Sequence, residues 1–342
     1  MNYSKREKVT IGKICGIILP IFVYLGIAVI IEIILMVVAS VSGAMQGITD
    51  PAALSQYVNN MIMKEPLLLT LLAGLGAAPV LILMYRWDIK KDKINNQYIK
   101  YKNKHIGQYL LIIPFGIFNM LGANFFVAIL EMIMPDFMLE SYTDTANMIY
   151  QSSIMMQLLV GVIVGPIVEE MIFRVLIYNR IKKMTGVIGA AVLSSVLFGI
   201  YHENWVQAPY AVIIGLVCVF VLEKYKSVIA PILLHMSVNA FAITLTYFAN
   251  SSTETTVQIS KEEQVVSLII FITISGILAA VNGLIIWYTV HPKKITVSTG
   301  NSDDVRKVYH RKEEKEDNKE ENVDMKTTFY YHRRDNNSKD NN

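Results

Sequence analysis

Long apolar blocks constrain this chain more than any other feature. They run from about 14 to 41, 66 to 85, 109 to 134, near 153 to just before Arg180, 187 to 202, 210 to 222, 228 to 248 and 265 to 290. About 20 predominantly apolar residues suffice for a helix to cross the hydrocarbon layer. In lipid the backbone must satisfy its own hydrogen bonds, which leaves helices as the spanning element for such segments. The sequence therefore predicts an all-α polytopic membrane protein of eight transmembrane helices enclosing a polar intramembrane cavity. Only 17% of the 342 residues are charged, against about 25% in soluble domains.

The net charge of +3 is small, and its distribution says more than its size. Lys5, Arg6, Lys8 and Lys13 precede the first block. Seven Lys or Arg between Arg86 and Lys104 follow the second. Arg180, Lys182 and Lys183 follow the fourth, and Lys224 and Lys226 end the sixth. The loops near 42–64, 136–144 and 254–263 are poor in cations. The positive-inside rule then puts both termini in the cytoplasm of a multi-pass protein of the cell membrane. The first block is too long for a signal peptide and reads as a retained span. Five regions follow: a cytoplasmic N-terminus (1–13), three helices with their loops (14–152), four further helices (153–250), a last helix (251–290) and a charged tail expected to be disordered (291–342). Cys15 and Cys218 lie in apolar blocks and fit neither a disulfide framework nor a zinc motif. No phosphate loop or basic tract suggests nucleic acid as a partner. The bilayer is the expected one.

The fourth block holds Gly161-Val-Ile-Val-Gly165-Pro166-Ile-Val-Glu169-Glu170-Met-Ile-Phe-Arg174. Charges inside a bilayer are costly and mark functional sites by default. Adjacent helical residues point about 100° apart, so Glu169 and Glu170 face different ways. Glu170 and Arg174 are four apart and share a face, which predicts an ion pair. Glu169 is then left as a general base for water. The alternative is that both glutamates belong to a structural ion-pair network. Pro166 predicts a kink. Gly161 and Gly165 form a GxxxG pattern suited to close helix packing.

Two further clusters follow, Phe198-Gly-Ile-Tyr-His202 and His235-Met-Ser-Val-Asn239. Each pairs residues one helical turn apart. Together with Glu169 they supply a carboxylate, two imidazoles and an amide, enough to activate water and stabilise an oxyanion. Counted along upright helices from the basic ends, Glu169 and His235 lie at roughly 12–16 Å and His202 at roughly 22 Å, which leaves their depths unmatched. Glu32 and Glu131, also in or near spans, read as structural.

Glu-Glu-x-x-x-Arg, Phe-x-x-x-His and His-x-x-x-Asn on successive apolar blocks resemble the CPBP family of CAAX prenyl endopeptidases and bacteriocin-processing or self-immunity membrane proteases. The resemblance covers roughly 154–248. It implies an intramembrane endopeptidase acting on a membrane-associated peptide of CAAX, bacteriocin or signalling type. By motif, Glu169 would be the base, His202 would hold the water, and His235 and Asn239 would stabilise the oxyanion. Glu170, Arg174 and Phe198 would support them. The family is described both as metal-free and as metal-dependent. A metal-free site is the expectation here, with zinc on Glu169, His202 and His235 as the alternative. The chain lacks HExxH, since Val206 stands where its second histidine would be. It also lacks a Gly-x-Ser-x-Gly nucleophile. The rival reading is a non-hydrolytic immunity factor or transporter using the same cluster for binding or proton relay.

Overall fold

The computed structural model describes residues 7–95, 97–101, 104–251 and 260–294. Chain contacts divide the protein into Met1–Lys293 and Lys294–Asn342. The fold below is that of the first unit. Apart from 291–294, the tail expected to be disordered lies outside the described residues.

The described residues are all-α. Helices α1 (Ile11–Met45), α2 (Pro51–Met63), α3 (Leu67–Ile94), α4 (Ile106–Leu110), α5 (Ile112–Ile133) and α6 (Asp136–Gln151) come first. A composite rod follows: α7 (Ile154–Gln157), a π-helical segment (Leu158–Val164), α8 (Gly165–Glu170) and a second π segment (Met171–Tyr178). It continues into α9 (Asn179–Tyr201), and α10 (Gln207–Tyr225), α11 (Ile229–Ser251) and α12 (Lys261–Thr289) complete the bundle. Among the described residues six stretches are long and apolar enough to cross a membrane: α1, α3, Ile106–Ile133, α10, α11 through Phe248, and α12 from Glu262. The segment 154–201 is not among them.

Its first part, Ile154–Tyr178, nonetheless runs alongside α3. The Leu67 amide at the start of α3 donates to Ser152 Oγ over 3.4 Å. At the other end Arg180 meets Asp88 at 2.8 Å, and Lys183 pairs with Asp92. Proline removes an amide donor and its ring clashes with the carbonyl four residues back. At Pro166 the chain answers with a π-helical turn immediately before α8 rather than a simple kink. The GxxxG pattern packs on one side only. A Cβ on Gly161 would sit 3.0 Å from Ile243 of α11, whereas one on Gly165 would meet the carbonyl of Val160 in its own segment. Gly186 adopts φ 85° and ψ −173°, breaking α9 just after its basic start. A β-carbon is disfavoured at such a φ.

The loops expected after the first and third spans contain helices. Asp50 caps α2 by accepting from the Ala53 amide at 2.8 Å, with Pro51 in the first turn. Tyr57 then bonds to Ser42 and Gln46 of α1. Helix α6 follows Pro135, which stands at its N-cap position with no side-chain cap bond. The basic segments converge as the charge pattern predicts. Glu223 binds both Lys182 and Lys226, the Glu7 amide donates to the Lys183 carbonyl, and Lys224 reaches the Trp287 carbonyl. The start of the first helix and the end of the last therefore lie at one end of the bundle.

Candidate active site

Glu170 is fully buried, and its carboxylate is the centre of a polar cluster inside the bundle. Arg174 Nε lies 3.1 Å from Glu170 Oε2, an ion pair rather than an aligned hydrogen bond. The other oxygen, Oε1, is 3.0 Å from His235 Nδ1. A carboxylate only accepts here, so the imidazole donates from Nδ1. The thiol of Cys218, on α10, completes the surroundings of Glu170 and Arg174. Glu170 Oε2 and all three guanidinium nitrogens of Arg174 are buried without an aligned hydrogen bond, so the pair is held by charge rather than by a full set of hydrogen bonds.

Glu169 faces elsewhere, as helix geometry predicts, and its side chain keeps 24% of its exposure. Its Oε2 lies 3.6 Å from His235 Nε2. The two glutamates thus meet the two opposite nitrogens of one imidazole. The motifs place His235 in one site with Glu169, His202 and Asn239, but nothing in their spacing announces its bond to Glu170.

Phe198 organises the remaining groups. Its ring stands edge-on to His202 with centroids 4.7 Å apart and to His235 at 5.8 Å. The Arg174 guanidinium covers the ring at 4.4 Å from its centroid. His202 Nδ1 donates back to the Phe198 carbonyl at 2.7 Å. The bond ties the imidazole to the preceding turn of its own helix. His202 ends α9, Glu203 follows in the left-handed region at φ 50°, and Asn204 caps α10 by accepting from Val206 and Gln207, both at 3.0 Å. On α11, Asn239 lies one turn beyond His235, and its Nδ2 donates to the Gly161 carbonyl at 2.8 Å. One of its two amide protons remains for another acceptor.

The zinc alternative can be weighed against these positions. His202 and His235 each donate from Nδ1 within the protein, which leaves both Nε2 atoms available as ligands. Among the described residues no three His, Cys, Asp or Glu side chains are grouped to hold a metal ion, and no step below passes through a metal.

Residues 151–241 match the family model described as Type II CAAX prenyl endopeptidase Rce1-like. The chain belongs to the CPBP family. The CPBP match covers all seven residues discussed above, from Glu169 to Asn239. Over 167 residues the chain is 26% identical to the Bacillus subtilis (strain 168) protein named "Putative membrane peptidase YdiL", covering 49% of this chain and 67% of that protein. It is 30% identical over 132 residues to the UPF0177 protein YxdF of Lactococcus lactis subsp. lactis (strain IL1403), covering 36% of this chain and 70% of that protein. No solved structure matches the chain. At the level of the CPBP family this is an integral membrane peptidase.

Proposed function

We propose that the protein is an intramembrane endopeptidase in which Glu169 activates water to hydrolyse a peptide bond of a membrane-associated substrate. The observation that carries this reading is the contact of His235 with both glutamates, 3.0 Å from Glu170 and 3.6 Å from Glu169. It leaves one carboxylate locked in an ion pair and the other partly accessible beside two imidazoles. That asymmetry supports a division between a structural and a reactive carboxylate.

In the proposed reaction a water held between Glu169 and His202 attacks the scissile carbonyl carbon. Its proton passes to Glu169, and the carbonyl electrons move to oxygen. His235, carrying a proton on Nε2 as well as on Nδ1, and the free amide proton of Asn239 face the developing oxyanion. When the carbon–nitrogen bond breaks, the proton on Glu169 passes to the departing amine. The products are a carboxylate and an amine. No side chain becomes covalently attached and no metal takes part. A CAAX-type C-terminal peptide is the substrate class that the CPBP membership favours, with bacteriocin and signalling peptides as alternatives of the same chemistry.

The test is cleavage of a peptide library by purified, reconstituted protein, beside Glu169→Gln and His235→Ala. Wild-type cleavage lost in both variants supports the mechanism. Cleavage that persists in both defeats it. A cellular phenotype that survives both changes with no cleavage detected would favour the non-hydrolytic binding reading.

A further inference from the structure

Near its end α3 reads Arg86-Trp-Asp88-Ile-Lys90-Lys-Asp92, with base and acid alternating at every second position from Arg86 to Asp92. Helical positions two apart point about 200° apart, so the two carboxylates share one face and Arg86 and Lys90 the opposite one. The acidic face is engaged within the protein. Asp88 meets Arg180, and Asp92 pairs with Lys183, both cations belonging to the start of α9. Arg86 and Lys90 are exposed. Among the described residues neither has a carboxylate at ion-pair distance.

The same two residues border a surface groove of about 580 Å³, whose other walls are Val80, Leu83, Met84 and Trp87. Val80, Leu83 and Trp87 are exposed on the stretch where the apolar block of α3 gives way to charge. Val80 precedes Arg86 by six residues, about 9 Å along the axis. The groove is therefore apolar along its length and cationic at the end where the basic segments gather. Tryptophan favours the level of lipid headgroups, and long basic side chains lay their stems on apolar surface while the charge reaches outward. An occupant that matches the whole groove needs a hydrocarbon chain and an anionic head. A soluble anion meets only the second need, and a neutral lipid tail only the first.

We propose that this groove holds an anionic phospholipid of the surrounding bilayer: its phosphate accepts from the Arg86 guanidinium and the Lys90 ammonium, and an acyl chain lies along Leu83 and Val80. Guanidinium meets phosphate with two parallel N–H groups. Each basic residue near an anionic membrane surface strengthens binding about fivefold. The lipid lies behind the helix whose inner face anchors the start of α9.

The chain has three tryptophans, Trp87, Trp205 and Trp287. Full-length protein carrying Trp205→Phe and Trp287→Phe keeps the fluorescence of Trp87 alone. It is reconstituted in mixed vesicles of phosphatidylcholine and phosphatidylglycerol, with brominated acyl chains on one lipid or the other, since bromine quenches tryptophan only at short range. Trp87 should prefer brominated phosphatidylglycerol over brominated phosphatidylcholine about tenfold or more. Arg86→Gln and Lys90→Gln should each weaken that preference about fivefold, and together abolish it. Equal quenching by the two lipids overturns the proposal and assigns the groove to a neutral chain or to the bilayer at large. A preference that the double glutamine variant retains overturns it too. A second measurement needs no tryptophan replacement. Native mass spectrometry of the full chain, offered both lipids in equal amount, should show one phosphatidylglycerol fewer on the double glutamine variant than on wild type. An unchanged count overturns the proposal.

Discussion

His235 donates from Nδ1 to Oε1 of Glu170 across 3.0 Å. This bond separates the roles of two glutamates that are adjacent in sequence. Glu170→Gln removes the only carboxylate between Arg174 and His235 and leaves a buried guanidinium without its counter-charge. Breaking a buried pair of this kind costs about 3–5 kcal/mol, so the variant should unfold at markedly lower temperature in detergent. Glu169→Gln should keep the wild-type unfolding temperature and lose about 10²–10⁴-fold in kcat. Matched unfolding and rate measurements on the two variants check the contrast. Equal destabilisation by both would contradict it.

Arg174 combines its ion pair with a flat face laid on Phe198, 4.4 Å from the ring centroid. Lysine keeps the charge and loses the planar contact. Arg174→Lys is expected to cost about 1–2 kcal/mol, read as a lowered unfolding temperature. A wild-type value would show that charge alone matters there.

Gly161 accepts from Asn239 and faces Ile243 of the same helix, α11. The Ile243 methyl group at 3.0 Å is the mobile end of a side chain, so Gly161→Ala should be tolerated with kcat near wild type. Gly161→Leu would push α11, with His235 and Asn239, away from Glu169. Displacements of about 1 Å cost on the order of 10²-fold in rate. The alanine and leucine variants assayed side by side test this, and indifference to leucine would refute the close approach.

Asn204 caps the start of α10 while the chain turns out of α9 at His202. Asn204→Ala should cost about 1 kcal/mol of stability through loss of the cap. It should also slow cleavage, because the cap fixes the turn that follows His202. Asn204→Asp, which retains the acceptor, should recover most of both losses, and failure of this rescue would argue against capping as the cause.

The zinc alternative predicts loss of cleavage on chelation and recovery with added zinc. The metal-free reading, in which Glu169 alone activates the water, predicts cleavage unchanged after prolonged dialysis against a strong chelator. Metal analysis of the purified protein beside the rate measurement checks both expectations.

Much of this molecule was legible in the sequence because the relevant physics is local. Apolar blocks long enough to cross lipid require helices, whatever their neighbours. The spacing of four between Glu170 and Arg174, and between Phe198 and His202, fixes which side chains share a face. The gathering of the basic segments at one end follows the charge pattern along the chain. Tertiary structure decided what depends on distance between segments remote in sequence. The insertion of His235 between the two glutamates joins residues 65 and 66 positions apart. The thiol of Cys218 beside the ion pair has no periodicity that announces it. The π-helical turns on either side of α8 likewise answer to no spacing in the sequence. A pattern read along one helix gives the direction of a side chain from that helix, but only the packing of several helices determines which groups it meets.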